Sequence, residues 1–510
     1  MSRRKALPVT MTAGSTLYGV TAAALMSDVY FDPAFVRLHA APDDIDLLEL
    51  PGFRHASAVR PIKGEHGEDM ETPWGYGGPI GATPSAFWEG IGLWRQRQRD
   101  LGRVAEFVRL HPFLNPLALR GFLDDIRFDR LTVLVDLQES SAERRARYSK
   151  GTRYSISRAK NILTVRRLAP TDGRLFRDLY EQGLARNNAD RAYYFAGDYY
   201  DRLLAAPWTH AWVADKGGEA LAVACFLRSG PIAHYHLSGG GDRAREGFAQ
   251  YLLLEGAIET FRRDGCQWMH LGGGRTRAPD DELLRFKTRF SNRCIPFYTG
   301  GLVYDRAAYD RMTKGRTDRF LSYRFPPIPD LSTAQVHLDP ARATDFPIFF
   351  RIKCDVDNIV WSGSDSPPDW ITMSSWFQRH VSGTTRRRIF IATCDGRSVG
   401  YVYLDDDDNE LVVTIGRASG EGGKGLGSAI VVEVLRMLRN ERNERPITAW
   451  IFPENRAGAL AFEAAGFALD ETRPPRPFAM PLPDLAPREQ RCWVYQGATE
   501  ATAPSRMAAP

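Results

Sequence analysis

The sequence predicts a mixed α/β protein of about three domains, and three observations carry that expectation. The first is length: the chain has 510 residues, and a domain takes roughly 150. The second is patterning. Short segments with alternating apolar residues are interleaved with amphipathic helical segments along the whole chain. The third is a break at Phe325-Pro326-Pro327-Ile328-Pro329-Asp330, where prolines cluster and the charge balance changes sign. Residues 1–325 hold 47 Lys and Arg against 38 Asp and Glu, whereas residues 326–510 hold 20 against 24. A basic front and an acidic back imply two units with different partners, the front meeting something anionic.

Composition narrows the class. Apolar residues make up 43% and charged residues 25%, the values of an ordinary globular protein. Wholesale disorder, a collagen-like chain and a disulfide-rich miniprotein are excluded. Cys225, Cys266, Cys294, Cys354, Cys394 and Cys492 form no CxxC pair and match no zinc spacing, so free thiols in a reducing cytoplasm are expected. No run of 18 apolar residues exists, so no membrane span is expected. Met1-Ser2-Arg3-Arg4-Lys5 has the look of a twin-arginine signal, but Gly14, Ser15, Thr16 and Gly19 break the apolar run after it. Cytoplasmic location is the expectation, with no metal cofactor and no DNA partner.

The elements follow in order. Residues 1–24 read as a flexible leader. A strand is expected at 131–137 and a basic helix at 142–161. Helices follow at 176–186 and 198–205. Strands 220–228 and 232–237 form an antiparallel pair turned by Ser229-Gly230-Pro231. An amphipathic helix covers 248–264, followed by a strand at 268–271. In the last third, strands at 388–394, 399–404 and 411–415 are linked by the Asp395-Gly396 hairpin turn and by Asp405 to Asp408, read as a solvated turn. Helices at 426–440 and 457–465 flank a strand at 447–452. The Ala-, Pro-, Ser- and Thr-rich tail at 496–510 reads as disordered.

The strongest motif is Gly422-Gly423-Lys424-Gly425-Leu426-Gly427-Ser428, which opens a helix. Glycines there leave backbone N–H groups uncovered where the helix dipole favours an anion. No Walker or dinucleotide spacing is present. Further on come a strand, then Pro453-Glu454-Asn455-Arg456, then a helix ending Phe462-Glu463-Ala464-Ala465-Gly466-Phe467. Three antiparallel strands, a glycine loop, a helix, a strand and a helix ending Gly-Phe resemble the GNAT acyltransferases over residues 334–495. The resemblance implies that Gly423, Lys424, Gly425, Leu426, Gly427 and Ser428 hold the pyrophosphate of acetyl-CoA, the acyl donor. It also implies that Asn455 contacts the pantetheine or lies near the thioester. Two positions depart from the family: Gly422 stands where Gln or Arg is usual, and Phe462 where a Tyr often acts as general acid. Glu410, at the start of a strand, is the best-placed candidate base, with a solvated strand-end charge as the alternative. Trp361, Trp370 and Trp376 resemble the acceptor side of enzymes that acetylate nucleotide-linked amino sugars, and Trp361 and Trp376 are the candidate sugar contacts. Ordinary helix packing is the alternative.

The front carries other landmarks: Asp28-Val29-Tyr30-Phe31, Trp74-Gly75-Tyr76-Gly77-Gly78-Pro79, Arg109-Leu110-His111-Pro112, Tyr235-His236-Leu237-Ser238-Gly239-Gly240, Leu271-Gly272-Gly273-Gly274 and Leu284-Arg285-Phe286-Lys287. Together they resemble the FemABX-like peptidyltransferases and the related BioF2-like acyltransferases over residues 25–325. That family implies two GNAT-like lobes in tandem, 25–165 and 166–325. With a linker at 326–333 and the lobe at 334–495, the expected fold is three such lobes, each a mixed, mostly antiparallel sheet flanked by helices. Phe286 and Lys287 align with a Phe-Lys pair that supports the reacting ester, where an ammonium would stabilise an oxyanion.

Around Lys150, Arg153 and Arg158 the segment also holds Arg144, Arg145, Arg147 and Lys160 against one nearby acid, Glu143. Either this is a solvated helix face, or it clamps a phosphate of a nucleotide sugar or tRNA. Tyr76 among glycines is a candidate substrate contact. His111 reads as structural. His234 and His236 alternate on one strand face, with no evident third metal ligand.

The activity implied is N-acyl transfer. The back lobe would acetylate an amine, such as that of a nucleotide-linked amino sugar. The front would acylate or aminoacylate a cell-envelope or surface-polysaccharide precursor, from acyl-CoA or aminoacyl-tRNA. The alternatives are one active GNAT lobe with a non-catalytic front module, or an aminoacyl-tRNA-dependent peptidyltransferase. The acceptor and the general base stay open.

Overall fold

Alternation in the front two-thirds builds one twelve-stranded sheet. The computed structural model describes residues 16–39, 44–64, 67–278, 280–327, 336–407, 409–418, 425–478 and 488–497. The chain divides into two compact units, 1–312 and 313–510. Most of the expected leader and tail, and most of the linker at 326–333, lie outside the described residues, as do Gly422, Gly423, Lys424 and Asp408.

The front strands are β1 Ile45–Leu50, β2 Phe53–Pro61, β3 Glu68–Glu71, β4 Ile80–Gly81, β5 Ala105–Arg109, β6 Asp125–Asp136, β7 Thr164–Arg167, β8 Thr209–Lys216, β9 Glu219–Ser229, β10 Ile232–Gly240, β11 Trp268–Gly273 and β12 Cys294–Val303. Their order is β1-β2-β3-β5-β12-β6-β11-β10-β9-β8-β7, with β4 on β2. Neighbours are antiparallel except at two places, β3 with β5 and β10 with β11. An antiparallel run, one parallel pair and an antiparallel closure thus occur twice in this sheet.

The back unit repeats the pattern. Its strands are β13 Val336–Pro340, β14 Arg387–Cys394, β15 Arg397–Asp407, β16 Glu410–Arg417, β17 Ile447–Ile451, β18 Phe467–Leu469, β19 Arg476–Phe478 and β20 Arg488–Tyr495. The order is β13-β14-β15-β16-β17-β20-β18, and β16 with β17 is parallel. Asp395 and Gly396 both take positive φ, 48° and 72°, as a two-residue hairpin turn with the right twist requires. The helix Leu426–Asn440 lays Ile430, Val431, Val434, Leu435 and Leu438 on the back core, the spacing of one helical face. The aspartates after β15's midpoint are not a free turn. Asp405 pairs with Arg387 at 2.5 Å and Asp406 with Arg445 at 2.6 Å, and Asp405, Asp406 and Asp407 are in the strand.

The single basic helix expected at 142–161 is two, Ser141–Ala146 and Lys150–Ile162. Ser149 divides them. Its hydroxyl accepts from Thr152 N–H at 3.1 Å, and this cap is stronger than the intrinsic helix propensity of a serine. In the front core, Glu106 on β5 is fully buried and collects four partners. His55 Nε2 lies 2.7 Å away, Trp94 Nε1–H donates at 2.9 Å, and the Ser57 and Tyr304 hydroxyls also donate. Burial pushes the carboxyl up, but His55, Ser57 and Tyr304 together hold it below its usual range.

Candidate active site

The parallel register of β10 and β11 covers Ile232 with Trp268, Ala233 with Met269 and His234 with His270, and then stops. Each strand carries an irregularity against its other neighbour just beyond that point, between Tyr235 and Leu237 on β10 and between His270 and Gly272 on β11. An extra residue bends a strand and raises its twist. Gly272 makes the second irregularity possible, with φ +72°. The two strands therefore part beyond His234 and His270.

Lys287 closes this opening from one side. It ends the helix Glu282–Lys287, which Asp281 caps by accepting from Leu283 and Leu284 N–H at 2.9 and 3.0 Å. The buried Nζ donates to Gly273 O at 2.7 Å and lies 5.7 Å from the Tyr235 ring centre. A methyl group on Gly272 would stand 3.3 Å from Lys287 Nζ and 3.6 Å from the Tyr76 hydroxyl. These two predicted residues thus converge on one backbone position. Burial lowers the Lys287 pKa to about 7; Asp281 opposes the fall and Arg130 adds to it. Phe286 turns elsewhere, edge-on to Tyr251 and Phe290 at 5.1 and 5.6 Å. It anchors the helix that carries Lys287.

Asp28 and His111 stand in two of the front landmarks and His234 was paired in expectation with His236, but their meeting in one polar group was not expected. Asp28, His111 and His234 are all buried, and their ligand atoms lie within 4.8 Å of one another. Asp28 Oδ2 is 2.7 Å from His234 Nε2, and Oδ1 is 3.4 Å from His111 Nε2. Burial works against the Asp28 charge, but His234 and His111 hold its carboxyl far below the usual range. His270 stands 5.8 Å from His234, ring to ring, and burial drives its pKa well down. His236, on the same strand face, bonds Tyr199 OH at 3.1 Å instead. Sequence spacing could not have linked positions 28, 111 and 234, because three separate segments supply them.

The basic segment is not an open clamp. Arg144 and Arg145 are held by Glu255 and Glu259 of the helix Ala249–Arg263, and Arg147 by Glu139. Arg153 donates to Tyr148 O at 2.5 Å. The acids come from more than 100 residues downstream in the case of Arg144 and Arg145, which a local charge count misses. Lys150, Arg158 and Lys160 lie exposed on the second helix.

In the back unit the β16–β17 register covers Leu411 with Ile447 and Val412 with Thr448 only. Gly425, at φ +93°, precedes the helix of Leu426, Gly427 and Ser428. Asn455 caps the helix Arg456–Glu463, its Oδ1 accepting from Gly458 N–H at 3.0 Å. Glu410 is ion-paired to Arg473 at 2.5 Å, so its carboxylate is already engaged. Trp376 stacks on Phe349 at 6.0 Å and meets His380 at 4.2 Å. Trp361 lies 6.4 Å from Phe452, with the Arg488 guanidinium 5.4 Å from its ring. Trp370 packs on Phe346 and Phe350, so it is a packing residue. Phe462 is buried against Phe467 at 5.0 Å. Among the described residues no helix is long and apolar enough to cross a membrane.

Residues 142–287 match the model of the acetyltransferase (GNAT) domain family. The match contains the β10–β11 opening and ends on Lys287. Among solved structures, the chain is similar to FemX at 10% identity and TM-score 0.45, covering 57% of this chain and 97% of FemX. It is also similar to an aminoglycoside acetyltransferase in complex with coenzyme A, at 18% identity and TM-score 0.27, over 32% of this chain and 96% of that one. A spermidine N-acetyltransferase from Vibrio cholerae with CoA and spermine is similar at 14% identity and TM-score 0.29, over 32% and 96%. No curated protein matches the sequence.

Proposed function

Taking residues 142–287 as a GNAT acyltransferase domain, we propose that the front unit transfers an acyl or aminoacyl group to the amine of a cell-envelope or surface-polysaccharide precursor. The observation that carries this reading is the convergence of Lys287 Nζ and the Tyr76 hydroxyl on Gly272, where the β10–β11 register ends. The acceptor nitrogen attacks the donor carbonyl held in the opening. The carbonyl oxygen gains negative charge, and the Lys287 ammonium and Tyr76 O–H are donors for it. Holding both reactants in the opening supplies the rest of the acceleration.

The back unit, in this reading, transfers acetyl from acetyl-CoA to an amine, that of a nucleotide-linked amino sugar. Gly425, Leu426, Gly427 and Ser428 of the helix start receive the pyrophosphate, and Asn455 lies by the pantetheine. The short β16–β17 register and the positive φ of Gly425 support this. The chain then holds three lobes, 25–165, 166–325 and 334–495, and the three parallel pairs support that division. Six buried free cysteines are in keeping with the cytoplasm.

Replacing Gly425 by Val should raise the acetyl-CoA dissociation constant about tenfold or more, since a β-branched residue is strained at that φ. Calorimetry with the full chain checks it, and unchanged affinity rejects the cofactor site. The wider test is labelled acetyl-CoA and charged tRNA against a panel of UDP-amino sugars. Transfer from tRNA alone would favour the peptidyltransferase reading, to which the exposed Lys150, Arg158 and Lys160 lend support. Its binding should fall steeply with salt.

A further inference from the structure

Gly272-Gly273-Gly274 does more than turn the chain. A methyl group on Gly273 would stand 2.9 Å from Arg130 Cδ and 2.8 Å from Leu131 O, and one on Gly274 would collide with Asp281. With Lys287 and Tyr76 at Gly272, each glycine gives room to a charged or polar side chain. Arg130 stands on β6, two residues from Thr132, where the β6–β11 pairing ends. Its Nη1 donates to Gly274 O at 3.2 Å and to Arg275 O at 3.4 Å. Lys287 Nζ donates to Gly273 O at 2.7 Å. Two consecutive carbonyls thus hold the two cations, which places Arg130 beside the Lys287–Tyr76 position. Its charge acts on both groups. Burial lowers the Lys287 pKa and Arg130 adds to the fall, whereas burial raises that of Tyr76 and Arg130 opposes the rise.

A second guanidinium joins it. Asp129 accepts from Arg130 Nε at 2.5 Å through Oδ2, and from Arg277 Nε and Nη2 at 3.0 and 2.6 Å through Oδ1. Burial works against the Asp129 charge, but the two guanidiniums hold its carboxyl below the usual range. One carboxylate therefore fixes two guanidiniums side by side and cancels only one of their charges. Neither is sealed from solvent: the Arg130 and Arg277 side chains are 29% and 68% exposed. Arg130 Nη2 and Arg277 Nη1 meet no acceptor among the described residues. Asp281, which faces Lys287, is taken up by the N–H groups of Thr276, Leu283 and Leu284 and by the Thr276 hydroxyl.

Resting on the acyltransferase reading, we propose that Arg130 and Arg277 bind a phosphate group of the molecule that reacts at Lys287 and Tyr76. A carboxylate is matched by a single guanidinium fork. Two forks with a surplus charge suit the three oxygens and double charge of a phosphate. The front unit then takes a phosphorylated substrate, and the phosphate is held on the strand next to the reacting carbonyl. Phosphate is common to a nucleotide-linked acceptor and to a tRNA or CoA donor, and the kinetics below separate the two.

The first test needs no turnover. The full chain is treated with phenylglyoxal, which modifies exposed guanidiniums, and the modified peptides are read by mass spectrometry. Saturating inorganic pyrophosphate should slow the modification of Arg277 about tenfold, against sodium chloride at equal ionic strength. Arg174, 94% exposed on the helix Gly173–Arg186, should react equally in both. No protection of Arg277 overturns the proposal.

The second test is kinetic, with whichever donor and UDP-amino sugar support transfer. Arg277→Gln should raise the KM of the phosphate-bearing reactant about tenfold or more and leave kcat within about threefold. Arg130→Lys, which keeps the charge and loses the fork, should raise the same KM, and melting curves confirm that both variants fold. A raised acceptor KM assigns the phosphate to the acceptor, and a raised donor KM assigns it to the donor. Unchanged KM values for both reactants in Arg277→Gln reject the phosphate site and keep the acyltransferase reading. Protection of Arg277 in a protein that transfers nothing keeps the phosphate site and rejects that reading.

Discussion

Lys287→Met should lower acyl transfer by the front unit about 10²–10³-fold, the usual loss when one oxyanion donor is removed. In the proposed oxyanion role the effect should fall on kcat, since the ammonium would meet charge that exists only in the transition state. A pH profile separates this role from that of an amine base. The Lys287 pKa is lowered from 10.5 to about 7 by burial, so the ammonium is lost, and the rate should fall, as pH rises through that value. A rate that rises there instead would assign Lys287 the opposite role. Stability gives an independent check. Between the folded value of about 7 and the unfolded value of 10.5 the unfolded chain binds more protons. Stability of the front unit should therefore rise with pH across that window, and the Met variant should lose that slope. Urea melts at the two ends of the window measure it.

Glu106→Ala should destabilise the front unit by about 3–5 kcal/mol, the cost of breaking a buried ionic network by removing one partner. The alanine would leave His55, Trp94 and Tyr304 facing an empty space. Calorimetry should show the front transition shifted down while the back transition, from a separate unit, stays in place. Because the folded carboxyl lies below its usual 4.5, its contribution is present above that value and fades as pH falls through the lower, folded one. The difference between the unaltered protein and Glu106→Ala should shrink in acid. A constant difference would mean that packing, not charge, holds Glu106.

Local signals were legible in the sequence. The helix Leu426–Asn440 has the bounds its apolar spacing sets, and Asp395-Gly396 turns the hairpin its dipeptide demands. Lys287, Tyr76 and Gly272 were visible as separate landmarks, and the fold brings them to one place. Long-range pairing was not legible. The basic run at 144–147 looked uncompensated because most of its acids sit on another helix. Asp28 and His111 stood in separate landmarks, His111 read as structural, and nothing local joined either of them to His234 on β10. Phe286, adjacent to Lys287 in sequence, points to a different cluster, since neighbours on a helix leave it about 100° apart.

The two parallel pairs of the front sheet set a length scale. In the order β3-β5-β12-β6-β11-β10, the seam between β3 and β5 and the seam between β11 and β10 lie four strand spacings apart, about 19 Å. A molecule shorter than that spans one seam and not both. A molecule that spans both has an arm of about six extended residues. Because β12 and β6 join the seams as continuous hydrogen-bonded strands, that distance is a fixed ruler built into the front sheet.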